Sequence, residues 1–161
     1  AWQNHEGDEK YGAIVIPAFT FQLFEDPARQ LVRLREQSDR LYLTLFFPWA
    51  EISGDLPSNR WYFDREVSLP DGGKGVLETR HRIREGSGTL VRRHRYRLMD
   101  AQGQEVDREE TEQRLRFFTD GALKRLFASS GWEVEREVTN LGEGGEDEVV
   151  DVATFWLRRA D

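Results

Sequence analysis

The middle of this chain is a run of four extended segments separated by short turn sequences. Apolar and polar residues alternate in each segment, over residues 61–69, 75–84, 89–99 and 106–118. The breaks read Pro-Asp-Gly-Gly, Glu-Gly-Ser-Gly and Asp-Ala-Gln-Gly, and residues of these types favour tight turns. Because short turns join antiparallel neighbours, the pattern predicts a four-stranded antiparallel meander.

Neither face of this predicted sheet is purely apolar. Alternation places Leu77, Thr79, His81 and Ile83 on one face of the second segment, and Glu78, Arg80, Arg82 and Arg84 on the other. In the third segment, Leu90, Arg92, His94, Tyr96 and Leu98 alternate with Val91, Arg93, Arg95 and Arg97. A sheet that covers a site, or one that is half exposed to water, fits this pattern better than a core sheet does.

A strand–helix–strand pattern precedes the meander. Residues 12–16 are a short apolar run rich in β-branched side chains, which is typical of a buried parallel strand. Asp26 and Pro27 suit the N-cap and the first turn of a helix that carries two leucines spaced three apart. Residues 41–47 form a second apolar run. This order predicts a right-handed βαβ unit with parallel strands.

A helix and two strands follow the meander. Thr119 or the residue after it can cap a helix with apolar residues at helical spacing, and Gly131 provides its stop. Residues 132–138 and 149–157 then have strand patterns, and an acidic, glycine-rich loop at residues 140–148 joins them. The tight connection predicts a terminal antiparallel hairpin.

Composition excludes several classes of function. The chain has no cysteine, which excludes disulfides, thiolate metal sites and cysteine nucleophiles. The formal net charge of -7 should repel nucleic acid and anionic membranes, so we do not expect nucleic acid as a partner. The apolar runs all fall short of the ~18 residues that a membrane-spanning helix needs. We expect no membrane partner, and a bacterial-type cytoplasm is the default location.

Three stretches are informative through their order and spacing, namely residues 11–26, 40–48 and 114–134. They resemble, in turn, the fourth strand with its following loop, the fifth strand, and the late helix, glycine turn and sixth strand of one family. That family is the class I S-adenosylmethionine (SAM)-dependent methyltransferases of the small-molecule type. The meander is similar to the cap sheet of the sugar and amine N-methyltransferases in this group, and the closing hairpin is a family hallmark.

The resemblance implies an α/β fold that is α+β in part. It implies the C-terminal half of a Rossmann-like sheet, with a four-stranded antiparallel cap insertion and a closing β-hairpin. We therefore expect one partial methyltransferase domain over residues 1–161. Its βαβ part covers residues 1–57, the cap sheet covers 58–118, and the helix with the terminal hairpin covers 119–161.

Two elements of the family pattern have no counterpart in this sequence. One is the glycine-rich loop after the first strand, through which the backbone approaches the cofactor, and the other is the carboxylate that holds the ribose. Residues 36–39, before the counterpart of the fifth strand, also lack the glycines that are usual there. The glycine cluster at residues 142–145 lies in the acidic loop between the last two strands, which is the wrong place for a cofactor-binding turn. The chain begins at Ala1 without a Met. We expect a truncated domain that binds SAM weakly or not at all and is inactive alone.

The resemblance places the methyl-donor site at the carboxyl end of the first strand. It implies SAM contacts from Pro17, Ala18 and Phe19, and substrate contacts from Thr20, Phe21, Gln22, Trp49, Trp61 and Tyr62. The phenylalanines could equally be packing residues, and the last three aromatics could be core beneath the cap sheet. No catalytic residue is assigned, since methyl transfer depends largely on positioning.

The arginine- and histidine-rich strands 75–84 and 89–99 have two interpretations. Glu109, Glu110 and Glu112 on the neighbouring strand can pair with the arginines, which predicts a salt-bridged surface. Alternatively, the arginines attract an anionic substrate or RNA phosphate. His81 and His94 could meet on one face, but the sequence indicates no third metal ligand, so we expect no metal site.

Two classes of function remain open for the chain. The first is SAM-dependent N- or O-methylation of a small molecule by the parent enzyme. The second is a non-catalytic ligand-binding or dimerisation module. In either case the half-sheet exposes an edge that needs covering, so we expect a homo-oligomer or a strand-exchanged dimer.

Overall fold

The computed structural model describes residues 10–142 and 150–161, so most of the predicted acidic loop at residues 140–148 lies outside the described residues. The elements are, in chain order, β1 (Ile14–Ile16), α1 (Pro27–Gln37), β2 (Arg40–Phe46), α2 (Trp49–Ile52), β3 (Tyr62–Ser68), β4 (Lys74–Arg84), β5 (Thr89–Met99), β6 (Glu105–Arg116), α3 (Asp120–Ser129), β7 (Trp132–Thr139) and β8 (Val152–Arg159). No helix among the described residues is long and apolar enough to span a membrane.

The chain divides into two compact units. The first comprises Ala1–Phe47 and Phe117–Asp161, and the second comprises Pro48–Arg116. The second unit has a four-stranded sheet of its own and begins ten residues before the predicted start of the cap at residue 58.

The sheet of the first unit has the strand order β1-β2-β8-β7. β1 and β2 are parallel, with Ile14 opposite Leu41, as the βαβ pattern predicts. β8 is antiparallel to both of its neighbours, which confirms the terminal hairpin. β8 lies between β2 and β7, so the second strand of the hairpin joins the sheet directly to the βαβ unit.

The helices of the first unit begin where local capping chemistry places them. The Asp26 side chain accepts a hydrogen bond from the Arg29 backbone N–H at 3.0 Å, with Pro27 in the first turn of α1. The Thr119 side chain accepts one from the Ala122 N–H at 3.3 Å and caps α3. These caps satisfy backbone donors that the helices would otherwise leave free.

The core of the first unit lies between its sheet and these helices. Its fully buried side chains include Phe21, Leu31, Leu34, Leu41, Leu43, Leu45, Leu123, Phe127, Trp132, Phe155 and Leu157. The Trp132 indole N–H donates to the Leu31 carbonyl at 2.9 Å, which links β7 to α1 and satisfies the only polar atom of the largest core side chain. This packed layer fixes the carboxyl end of β1, where the candidate loop begins.

The sheet of the second unit is the predicted meander, with strand order β3-β4-β5-β6 and antiparallel pairing throughout. A register shift between Phe63 and Arg65 leaves Asp64 as a bulged residue of β3. In the central pair, Thr79 lies opposite His94 and His81 lies opposite Arg92. Residues that are paired in this way share a face of the sheet, so the register decides which side chains meet.

Candidate functional site

The loop after β1 has an unusual backbone. Ala18 and Phe19 have φ angles of 52° and 63°, which places two consecutive non-glycine residues in the left-handed region. Such conformations carry strain and are concentrated at functional sites. Pro17, Ala18 and Thr20 are exposed, and Phe19 is half-buried with its ring 5.7 Å from that of Phe46. The loop therefore presents exposed side chains at the carboxyl end of a parallel strand.

Gln22 and Phe21 hold this loop in place. The Gln22 amide donates to the Phe46 carbonyl at 2.9 Å and accepts from the Phe46 N–H at 2.8 Å, and the residue is only 2% exposed. Phe21 is fully buried, with ring centroids 5.7 Å from Phe24 and 6.2 Å from Phe118. Of the six loop residues predicted from the sequence, these two anchor the loop to β2 and to the core.

A group of polar side chains gathers on one face of the sheet in the second unit. Its members, here called the polar cluster, are Glu51, Tyr62, Asp64, Thr79, His81, Arg92 and His94. Glu51, Thr79 and His81 are buried, with 6%, 2% and 1% exposure. Buried polar groups cost free energy unless they are paired, so each member calls for a partner.

Glu51 and Arg92 form a buried ion pair within the cluster. The Arg92 Nε donates to Glu51 Oε1 at 2.7 Å, and a second guanidinium nitrogen contacts the same oxygen. The Glu51 side chain retains 4% of its exposure and that of Arg92 retains 20%. The pair joins α2 to β5 and places one positive and one negative charge beside His81 and Tyr62.

A hydrogen-bonded chain orients His94. The Thr79 hydroxyl donates to Asp64 Oδ2 at 2.7 Å and lies 3.1 Å from His94 Nδ1. A hydroxyl has a single proton, so once Asp64 accepts it the Thr79 oxygen accepts from His94 Nδ1–H. This assigns the Nδ1–H tautomer and leaves the His94 Nε2 lone pair available. Burial and the nearby Arg92 lower the pKa of His94, against the opposing effect of Asp64, and thus favour the neutral ring.

His81 and Tyr62 complete the cluster. His81 is 1% exposed, and neither ring nitrogen has a hydrogen-bond partner among the described residues. Its ring stands edge-on to that of Tyr62 at 6.0 Å. Burial lowers the pKa of His81 and raises that of Tyr62. Both side chains are therefore uncharged at neutral pH, which suits a polar site with little exposure.

The predicted substrate aromatics are not all brought together. Tyr62 joins the polar cluster. Trp61 lies on the opposite face of the sheet, where the Arg95 guanidinium sits 3.9 Å from its ring centroid. Trp49 is 40% exposed at the start of α2, two residues before Glu51. Trp61 and Tyr62 therefore do not line the same surface of the sheet.

The opposite face, here called the ion-pair face, is rich in salt bridges. Arg93 pairs with Glu112 at 2.9 Å and Arg95 with Glu110 at 2.8 Å, in line with the expected salt-bridged surface. Glu109 departs from that expectation because it lies opposite Tyr96, on the face of the polar cluster. Among the described side chains, no group of three or more histidines and carboxylates is placed to hold a metal ion.

Sequence reasoning did not single out the polar cluster as a site. The signal for it was present, because alternation already puts Thr79 and His81 on one face, and Arg92 and His94 on a neighbouring one. Burial of that face, and the bulge that brings Asp64 to Thr79, become visible only in the structure.

Three solved structures share this arrangement of strands and helices. A SAM-dependent methyltransferase from Clostridium acetobutylicum has a TM-score of 0.74 at 7% identity, over 98% of this chain and 62% of its own. The CcbJ methyltransferase from Streptomyces caelestis has a TM-score of 0.70 at 16% identity, over 96% and 63%. An amino pentose methyltransferase from Micromonospora echinaspora, with SAM bound, has a TM-score of 0.68 at 14% identity, over 99% and 63%.

The fold is that of SAM-dependent methyltransferases. The chain spans about 60% of the length of these methyltransferase structures. No protein-family model matches its sequence, and no curated protein matches it.

The loop after β1 carries the residues that the sequence analysis assigned to SAM contacts. The left-handed backbone at Ala18 and Phe19 turns the chain sharply at the end of β1 and leaves Pro17 and Ala18 exposed. The sequence supplies no glycine-rich turn of the GxGxxG type for close backbone approach to the cofactor. Contact of Pro17, Ala18 and Phe19 with SAM stays a prediction.

Proposed function

We propose that this chain takes part in SAM-dependent methylation of an amine on a small molecule. The observation that carries the proposal is His94, a neutral imidazole held by Thr79 and Asp64 on a methyltransferase fold. Enzymes abstract protons with a base of this kind, in which one ring nitrogen is held by a hydrogen bond and the other has a free lone pair.

The first unit would contribute to the methyl-donor side. SAM supplies an electrophilic methyl group on a sulfonium centre. Pro17, Ala18 and Phe19 would orient the donor, and Thr20 offers an exposed hydroxyl to the acceptor. Gln22 and Phe21 act as positioning residues, since they hold the loop through β2 and the core. Such positioning provides much of the rate of a group transfer between two bound molecules.

The second unit would contribute the proton acceptor. An amine is protonated at neutral pH and has no lone pair until it loses a proton. His94 Nε2 is proposed to take that proton from an amine bound against the polar cluster of the second unit. Tyr62 and the exposed Trp49 are the aromatic side chains proposed to contact the acceptor. The amino pentose methyltransferase with the same fold supports an amine as the acceptor group.

Calorimetric titration and a methyl-transfer assay together test this function. For the 161-residue chain alone we expect no low-micromolar binding of SAM, because it lacks the glycine-rich turn. The complete gene product should bind SAM and transfer radiolabelled methyl groups to a panel of amines that includes amino sugars. If SAM binds the 161-residue chain alone with low-micromolar affinity, the glycine-rich turn is not required for SAM binding. If the complete gene product transfers no methyl group to any of these amines, the proposed activity is wrong.

A dimerisation role has its own support in β1. This strand has a paired neighbour on one side only among the described strands, and Val15 is 61% exposed. A second copy could add a strand at this edge, either directly or by strand exchange. We propose that copies of the chain associate through β1.

Light scattering over a range of concentrations would test the association. Val15→Lys should raise the dimer dissociation constant about tenfold or more, because charged side chains block edge pairing. Val32→Lys is the matched control, since Val32 is 47% exposed but lies on α1. Equal effects of the two changes, or a monomer at the highest concentration, would rule out the β1 edge.

A further inference from the structure

The ion-pair face of the second unit has one neutralised half. Arg97 contacts Glu105 at 2.6 Å and Glu78 at 3.7 Å, and Arg108 contacts the same Glu105 at 2.8 Å. Arg95 contacts Glu110 at 2.8 Å and Glu78 at 3.6 Å. Three arginines and three glutamates therefore balance one another, and this half has no excess charge.

The other half of this face is not balanced. Arg80, Arg82 and Arg84 point to this face from β4, and within the described chain none of them has a carboxylate or other hydrogen-bond acceptor in contact. Arg93 and Arg114 share a single carboxylate, Glu112, at 2.9 Å each. These five arginines and Glu112 line a groove of about 280 Å³, here called the arginine groove, which has a formal excess of four positive charges.

The register makes this excess costly. Arg80 lies directly opposite Arg93 in the β4–β5 pair, and like charges in that position destabilise a sheet. In the neutralised half, Arg97 lies opposite Arg108 in the same way, but Glu105 contacts both of them. The described residues offer Arg80 no equivalent carboxylate, so an external anion is the group that would offset the repulsion.

The existing contacts of the groove leave room for such an anion. The side chains of Arg93 and Arg114 are 54% and 70% exposed, so their pairs with Glu112 contribute little free energy and can rearrange. Asn59 adds a neutral amide, and its backbone N–H donates to the His81 carbonyl at 2.9 Å, which fixes the end of the groove to β4. Guanidinium groups match phosphate oxygens through paired, charge-assisted hydrogen bonds.

We propose that the arginine groove binds the phosphate or diphosphate group of a small molecule. Its volume of about 280 Å³ is near the lower end of ligand pockets, which suits a compact anion. A long polyanion is disfavoured because it would also meet the net charge of -7 on the chain. The groove lies on the opposite face of the sheet from His94, so this site is separate from the proposed proton acceptor.

Isothermal titration with inorganic pyrophosphate tests the site, with inorganic sulfate and a single-stranded oligonucleotide as further arms. We expect saturable 1:1 binding of pyrophosphate that Arg82→Gln/Arg84→Gln weakens about tenfold or more, since two charged donors are lost. Arg97→Gln/Arg108→Gln is the matched control. It removes the same charge from the same face but from the neutralised half, and it should change the affinity less than threefold.

Each other outcome overturns the proposal. Absence of saturable pyrophosphate binding to the parent chain excludes the site, and equal weakening in both double variants shows that only net charge matters. Oligonucleotide binding that is tighter than pyrophosphate binding and falls steeply with salt would make the groove a nucleic-acid surface. Circular dichroism of all variants separates these results from misfolding, and the exposure of Arg82 and Arg84 makes their substitution compatible with the fold.

Discussion

Replacing His94 by glutamine is expected to lower kcat/KM for methyl transfer by about 10²-fold to 10⁴-fold, the range that a positioned general base contributes. Glutamine preserves a polar side chain near Thr79 but has no basic lone pair. The measurement is methyl transfer from SAM to the preferred amine by the complete gene product. A variant that retains half of the parent rate would show that His94 does not accept the proton.

The pH dependence supplies a second readout for His94. Burial and Arg92 lower its pKa below 6.5, so the neutral base persists as the pH falls to 6.5 and is lost only as the pH passes through the lowered value. The acidic limb of the kcat/KM profile should therefore lie below pH 6.5 and disappear in His94→Gln. The free energy of unfolding should also decrease below pH 6.5. As the pH falls, His94 takes up a proton at a higher pH in the unfolded chain than in the folded chain, which favours the unfolded state.

Three further variants separate chemistry from structure. Thr79→Val breaks the link between His94 and Asp64 but leaves the imidazole, so Thr79 acts as a positioning residue and its loss should cost less than that of His94. Tyr96→Phe is the matched control, since its ring lies 6.3 Å from that of His94 and has no hydrogen bond to it. Added imidazole should restore part of the rate in His94→Ala, which a purely structural role would not allow.

The sequence predicts the elements of this fold well where local chemistry determines them. Asp26 and Thr119 cap helices because their side chains reach backbone donors three residues ahead. The position of β8 between β2 and β7 was not predicted, since pairing of distant strands has no local signal. The end of β8 also lies beyond the predicted residue 157. Arg158 and Arg159 break the apolar pattern, yet the backbone ladder continues, with Arg158 opposite Arg40 and Glu133 and Arg159 opposite Trp132.

The candidate site was predicted less completely, for two physical reasons. Consecutive residues of a strand point to opposite faces of the sheet, so Trp61 and Tyr62 cannot line one pocket on it. The prediction that both contact the substrate did not take this alternation into account. The placement of Asp64 could not be foreseen, because the bulge that brings it to Thr79 lies in a strand without a glycine or proline to mark it. A one-residue shift of this kind decides which side chains share a face.

Replacing Glu51 by alanine is expected to lower the free energy of unfolding by about 3 kcal/mol, near the lower end for breaking a buried ion pair. The loss arises because Arg92 keeps its charge while its side chain is only 20% exposed. Chemical denaturation monitored by tryptophan fluorescence measures the change. The double variant Glu51→Leu/Arg92→Leu removes both charges, and it should recover most of the loss because apolar side chains of similar size can replace a buried pair.

Titration of the neighbouring rings decides between loss of charge and loss of packing. Glu51 raises the pKa of His81 and of Tyr62, so Glu51→Ala should lower both pKa values. Titration followed by nuclear magnetic resonance measures them. Arg92 lowers both, so removal of the two charges together should shift them less. If the single and double variants lose the same stability and leave both pKa values unchanged, Glu51 contributes packing alone. The ion pair then has no electrostatic influence on the pKa values of His81 and Tyr62.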